Sequence, residues 1–250
     1  MKGIILAGGT GSRLFPLTKV INKNLLPIGR YPMILHLLAK IKETGIKDIV
    51  IVSGREHMGQ ITSLLGNGQE FGLNLIYKIQ DRPGGIAEAL GVCEEVVGDD
   101  KSLVILGDNI FKDNINQYVK KFMKQDKGAK VLLKEVNDPK RYGIANIEGD
   151  RIIDIEEKPK IPKTNYCVTG IYMYDPMVFD VVKTLKPSNR GELEITDVNN
   201  WYVKNSLLTY DTLKGWWIDA GTFSSLHTAN NLANDIDLAD ILKVNGGDME

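Results

Sequence analysis

Short β-branched apolar runs alternate with helix-spaced apolar residues through the first half of the chain. Ile4 to Ala7 predicts a buried strand that runs into a glycine-rich turn. Met33 to Thr44 carries apolar residues at Ile34, Leu37, Leu38 and Ile41, the spacing of one helix face, and Gly45 closes it. Asp48 to Val52, Leu73 to Ile79 and Ser102 to Leu106 predict further strands, the last halted at Gly107-Asp108-Asn109. His57 to Leu65 and Ile86 to Val97 predict helices between them. Near-continuous apolar strands separated by helices imply a mostly parallel sheet covered on both faces.

The rhythm changes after about residue 129. Lys130 to Val136, Gly143 to Ile147, Arg151 to Glu157 and Val168 to Tyr174 predict strands, with a hairpin turn at Glu148-Gly149-Asp150. Helical spacing returns over Pro176 to Lys183, Glu192 to Val203 and Thr222 to Ala233, and Leu207 to Tyr210 predicts a short strand. No low-complexity linker separates the halves, so one shared sheet in an α/β, Rossmann-like three-layer sandwich is expected, mixed but mostly parallel. The tail Asn245 to Asp248 is expected to fray.

Composition narrows the partners. The 250 residues carry 31 Lys+Arg against 32 Asp+Glu, a balance that argues against a nucleic-acid binder. It leaves room for a small anionic ligand, because a site is local and net charge is a sum. Cys93 and Cys167 lie far apart, which suits a reducing compartment, and His36, His57 and His227 show no zinc-ligand spacing. No apolar run is long enough to span a bilayer, and the run after Met1 ends at Gly8-Gly9, too early for a signal peptide. The expected location is the cytoplasm.

The most informative stretch is Leu6-Ala7-Gly8-Gly9-Thr10-Gly11-Ser12-Arg13-Leu14, directly after a strand. Glycines allow a sharp turn and bring backbone N–H groups close to an anion, and Arg13 adds a planar cationic fork. The Walker pattern fails, because no Lys-Ser or Lys-Thr follows. The dinucleotide fingerprint fails, because Leu14 stands where a third glycine is needed, which disfavours a nicotinamide-dependent oxidoreductase.

Pro16 and Thr18 follow, then Lys23-Asn24-Leu25-Leu26-Pro27. Together, G-G-x-G-x-R-L-x-P-x-T and K-x-L-L-P resemble the sugar-1-phosphate nucleotidylyltransferases, nearest to their thymidylyl-transferring branch. The resemblance runs through nearly the whole chain. It takes in Gln80 to Ala89, Leu106 to Asn109, Arg141-Tyr142-Gly143, Glu156 to Pro159, Val168 to Tyr172, Arg190 to Asp197 and Trp217 to Thr222.

The resemblance implies a transfer of the nucleotidyl group of dTTP to glucose 1-phosphate with release of pyrophosphate. Catalysis would then be positioning and electrostatics. On this reading Leu6, Gly8, Gly9, Gly11, Ser12, Arg13, Gln80, Pro83, Gly85 and Asp108 bind the nucleotide, in a half spanning about 1–128. Tyr142, Gly143, Glu157, Lys158, Thr169 and Gly170 bind the sugar phosphate, in a half spanning about 129–250. Arg13, Lys23, Asp108, Lys158 and Asp219 would be catalytic, with Asp108 and Asp219 holding Mg2+.

Adjacent strand residues face opposite ways, so Glu157 and Lys158 can share one ligand only if the strand ends or bends at Pro159. Trp216 and Trp217 are expected as packing residues beside Asp219, and for Arg190 and Glu194 a site role and a helix cap both stay open. Two departures from the branch stand out: Glu88 where many members have Gln, and Gly84 where many have Asp. Uridylyl transfer therefore stays open, whereas a non-catalytic nucleotide-sugar-binding regulator is disfavoured by the joint presence of Arg13, Lys23, Asp108, Lys158 and Asp219. The chain stops at Glu250 and resembles a short form without the C-terminal helical segment of longer members. A homo-oligomer, dimer or tetramer, is expected.

Overall fold

The computed structural model describes residues 1–234 and 236–242; the tail at Asn245 to Asp248 lies outside them. The chain opens with β1 (Lys2–Leu6), a small ribbon of β2 (Pro27–Ile28) and β3 (Tyr31–Pro32), and α1 (Met33–Lys42). It continues through β4 (Asp48–Gly54), α2 (Arg55–Leu65), β5 (Asn74–Gln80), α3 (Ile86–Gly91), α4 (Glu94–Val97) and β6 (Ser102–Leu106). Then come β7 (Asn109–Phe111), α5 (Asn116–Met123), β8 (Ala129–Glu135), β9 (Gly143–Glu148), β10 (Arg151–Glu157) and β11 (Tyr166–Tyr174). The rest is α6 (Val178–Thr184), α7 (Ile195–Lys204), β12 (Leu208–Thr212), β13 (Trp217–Asp219), α8 (Phe223–Ala233) and α9 (Ala239–Leu242).

Among the described residues one nine-stranded sheet takes strands from both halves, in the order β10-β9-β11-β6-β1-β4-β5, with β8 on β11 and β12 on β8. β1 pairs in parallel with β4 and with β6, and β5 extends the same direction from β4. Only β11 and β10 run against it, so the sheet is mixed but mostly parallel. Alternation explains the continuous apolar runs. Ile5, Ile51 and Ile105 enter the core on one face, under α1, while Ile4, Val50 and Val104 enter the core on the other, with α3, α6 and α7. Burying each such side chain stabilises the fold by roughly 1.5–3 kcal/mol.

Several elements differ from the sequence expectation. The helix over Ile86 to Val97 divides at Val92-Cys93, where the Cys93 N–H donates to the Leu90 carbonyl, a tighter turn than an α-helix makes. The helix expected from Glu192 starts at Ile195, because residues 188–194 form a loop that packs on the other half. α5, with Tyr118, Val119 and Phe122 buried, and the β7–β13 ribbon were not anticipated. The ribbon strands are three residues each, too short for a period-2 signal.

Candidate active site

A cavity of about 640 Å³ opens at the C-terminal ends of β1, β5 and β6, where an open parallel sheet leaves its crevice. β11 widens it. β9 pairs with the start of β11 at Cys167, β6 pairs with its end from Ile171, and Val168 and Gly170 between them line the cavity. Leu6, Gly8, Gly9, Ser12 and Arg13 line the same space. Gly11 does not. It serves the turn: its φ is +62°, a Cβ there would stand 2.9 Å from Thr18 Cγ2, and Thr18 Oγ1 donates to its carbonyl at 2.7 Å.

The Ala7 carbonyl organises the next segment. It accepts from Asn22 Nδ2 (3.1 Å), Asn24 Nδ2 (3.0 Å) and Ser53 Oγ (3.2 Å), all buried. Asn22 also accepts from the Asn24 N–H, capping a single 3-10 turn. With both neighbours pinned, Lys23 projects into the cavity, and its Nζ lies 2.5 Å from Asp108 Oδ2.

Asp108 follows β6, and the β7–β13 ribbon brings Asp219 alongside, opposite Asn109. The Ala220 N–H donates to the Asp108 carbonyl at 2.8 Å. Burial pushes the Asp108 carboxyl up, but the Lys23 ammonium and the Asn109 amide outweigh it and hold the group below its ordinary value. Asp219 moves the other way: burial first, then the Asp108 charge, raise it, against the pull of Arg13 and Lys23. A Cβ on Gly221 would lie 2.7 Å from Arg13 Nη2 and 2.8 Å from Asp219 Oδ1, so the absent side chain leaves room for the guanidinium and the carboxylate on either side of it.

Asn109 is the residue the sequence reading left without a role. Its Nδ2 donates to Asp108 Oδ1 (3.1 Å), while its Oδ1 accepts from the Gly170 N–H (2.8 Å) and from Trp217 Nε1 (2.7 Å). Trp217 is thus more than packing: it lines the cavity and meets Tyr142 edge-on at 5.4 Å. A Cβ on Gly170 would come within 2.6 Å of the Asn109 amide, which explains the glycine.

On one side of these carboxylates, buried Gln80 faces Gly8, and its Nε2 donates to the Gly85 carbonyl at 3.1 Å. Gly85 has φ +103°, and a Cβ there would stand 2.4 Å from the Leu193 carbonyl oxygen. The Leu193 N–H donates to the Gly84 carbonyl (2.7 Å) and the Leu193 carbonyl accepts from the Ala87 N–H (3.1 Å), stitching the two halves at the cavity rim. Arg190 lines the cavity and grips Glu194 through Nη2, at 3.0 and 2.8 Å to the two carboxylate oxygens. Pro83 also lines the cavity.

On the other side, β10 ends at Glu157 and Lys158 adopts φ +47°, a left-handed turn rare for a side-chain-bearing residue. The bend brings both side chains to the cavity, with Lys158 Nζ 3.3 Å from Glu157 Oε1. Thr196 Oγ1 donates to Glu157 Oε2 at 2.7 Å and fixes that carboxylate. Tyr142, Gly143 and Gly170 line the wall. Thr169 does not: it is buried, and its hydroxyl donates to the Leu132 carbonyl at 2.7 Å. Thr196, which lies in the Arg190 to Asp197 motif without an assigned role, and Asn199, outside every motif, are both on the cavity wall, carried there by the docking of α7.

The donor set suits a small hard cation. Asp108 and Asp219 are buried or half-buried carboxylates whose mutual repulsion a cation would relieve. Among the described residues no group of three or more His, Cys, Asp or Glu side chains could hold a metal. Two carboxylates with water and phosphate oxygens fit magnesium, which keeps much of its hydration.

The comparisons follow the same lines. The profile of the nucleotidyl transferase family matches residues 2–235. A glucose-1-phosphate thymidylyltransferase of Neisseria meningitidis serogroup A is 41% identical over 240 residues, 94% of this chain and 83% of that protein. One of Xanthomonas campestris pv. campestris is 42% identical over 247 residues, 97% and 84% of the two chains. A crystallised Bacillus anthracis chain, provisionally assigned that activity and bound to sucrose, superposes with TM-score 0.94 at 61% identity, covering 97% of this chain and 99% of its own. A UDP-glucose pyrophosphorylase holding UDP-glucose superposes with TM-score 0.84 at 25% identity, covering 92% and 97%.

Proposed function

The chain belongs to the nucleotidyl transferase family, and from that premise we propose that it transfers a thymidylyl group from dTTP to glucose 1-phosphate. The convergence of Lys23, Asp108 and Asp219 in one cavity carries the reading. Relatives of that activity match nearly the full chain. One phosphate oxygen of the sugar phosphate forms a bond to the α-phosphorus. The bond from that phosphorus to the bridging oxygen breaks in line, and pyrophosphate leaves. The attacking oxygen is already anionic, so no general base is required.

The protein's work is alignment and charge. Arg13 and the N–H groups of Gly8, Gly9 and Ser12 cradle the β- and γ-phosphates. Lys23 exchanges its Asp108 partner for the α-phosphate and stabilises charge as bonding changes. Gln80, Gly85 and Gly8 receive the base. Glu157 accepts from sugar hydroxyls, and Lys158 draws the sugar phosphate into line. A magnesium ion held by Asp108 and Asp219 supplies neutralisation of phosphate charge. Residues 1–128 thus serve the nucleotide and 129–250 the sugar phosphate. A homo-oligomer in the cytoplasm completes the reading; two free, buried cysteines suit a reducing compartment. Among the described residues no helix is long and apolar enough to cross a membrane.

The test is pyrophosphate release across a grid of triphosphates and sugar 1-phosphates. Release that requires both substrates and peaks with dTTP and glucose 1-phosphate supports the reading. A peak with UTP supports the uridylyl alternative, which the likeness to UDP-glucose pyrophosphorylase keeps in view. Binding without release supports a regulator.

A further inference from the structure

Glu88 stands behind the base-reading residue, outside the cavity wall. Its Oε1 lies 3.4 Å from Gln80 Nε2 and its Oε2 lies 3.1 Å from Arg82 Nε. The Gly85 carbonyl takes a second hydrogen bond from Gln80 Nε2, at 3.1 Å. Both partners of that nitrogen are pure acceptors, so the reverse orientation of the amide would set its oxygen against two oxygens. Gln80 Oε1 is thereby turned toward the cavity, 3.2 Å from where a Gly8 Cβ would stand.

Room for the carboxylate comes from Gly84. A Cβ there would lie 2.0 Å from Glu88 Oε2 and 2.5 Å from Oε1. Gly84 and Glu88 therefore act as one unit, an absent side chain beside a carboxylate that fills its space.

We propose that Glu88 is a specificity-determining positioning residue, holding the Gln80 amide so that only its oxygen is offered to the base. An acceptor at that place pairs with the imide N3–H shared by thymine and uracil. Cytosine presents a lone pair at N3, which the Gln80 oxygen repels. The inference rests on the nucleotidyl-transfer reading above and deepens it: the device selects imide pyrimidines over cytosine and does not itself separate thymine from uracil.

The test compares kcat/KM for dTTP and dCTP, with saturating glucose 1-phosphate, in the wild type, Glu88→Gln, Gly84→Ala and the double variant. Glutamine at position 88 can offer either amide end, and with Gly84 standing where many members of the branch have Asp, only the Gly85 carbonyl then restrains Gln80. Alanine at position 84 pushes the Glu88 carboxylate off Gln80. Each single change should lower the dTTP-to-dCTP ratio about tenfold, the scale of one hydrogen bond. The change should appear in nucleotide KM, with the KM for glucose 1-phosphate unmoved. The double variant should add little, because both changes break one device. Equal losses with both nucleotides, or an unchanged ratio in soluble folded variants, would overturn the role of Glu88 while leaving the function standing. A wild type that turns over neither nucleotide would remove both.

Discussion

Lys23 Nζ and Asp108 Oδ2 sit 2.5 Å apart although 85 residues separate them along the chain. Before substrate arrives, the cation that should meet phosphate is held by the carboxylate that should help hold metal. Asp108→Asn ends that arrangement and leaves the shape of the side chain. Pyrophosphate release should fall roughly 10²-fold or more, as when a preorganised electrostatic group is lost. Circular dichroism should show an unchanged fold; full turnover would remove Asp108 from the mechanism.

Asp219 should behave differently in stability. Burial and the neighbouring Asp108 charge raise its carboxyl. A raised acid is more protonated in the folded chain, so its cost to stability appears as pH rises from its unfolded value toward its folded one. Asp219→Asn removes that cost and keeps an acceptor for the Gly221 N–H, now 3.0 Å away. The variant should lose activity yet gain about 0.5–2 kcal/mol of stability near pH 7. The gain should disappear in acid, below the unfolded carboxylate value of roughly 3.9. Melting curves of both proteins at pH 3.5 and pH 7 provide the comparison.

Asn109→Ala leaves the Gly170 N–H and the Trp217 indole N–H without their shared acceptor, both in buried surroundings. Each orphaned donor costs about 1–3 kcal/mol, so melting should drop by several degrees. Asn109→Asp keeps the acceptor but sets a second charge beside Asp108. It should therefore retain more stability than the alanine variant while kcat falls, a split that differential scanning and steady-state rates would show.

Lys158 carries two separable features, a charge and a left-handed backbone with φ +47°. Lys158→Ala and Lys158→Gly both remove the charge, and each should raise the KM for glucose 1-phosphate roughly tenfold or more. Only glycine is at ease at that φ, so the glycine variant should be the more stable of the two by about 1 kcal/mol. Equal melting temperatures would show that the bend is free of cost.

Both cysteines should be inert in the folded protein. Burial pushes the Cys93 and Cys167 thiols up to about 12. Iodoacetamide at pH 8 should leave activity intact and label both residues only after denaturation.

The sequence by itself determined the alternation of strands and helices, the glycine turn after the first strand, and the carboxylates and cations from which a phosphate site could be drawn. These are local properties. The side-chain period that buries Ile4 on one face and Ile5 on the other depends on neighbours in the chain. The left-handed turn at Lys158 was foreshadowed by the need to bring Glu157 and Lys158 to one ligand.

Only the tertiary structure decided which groups share an atom. Asn109 serves Asp108, Gly170 and Trp217 at once because β7, β11 and β13 meet there. Thr169, drawn into the site by its motif, spends its hydroxyl on β8 instead. Thr196 reaches Glu157 from 39 residues away, and Glu88 reaches Gln80 through the space that Gly84 leaves. Such relations depend on how whole elements dock, and a hydrogen bond is lost over a fraction of an ångström, so no periodicity or spacing along one chain could carry them.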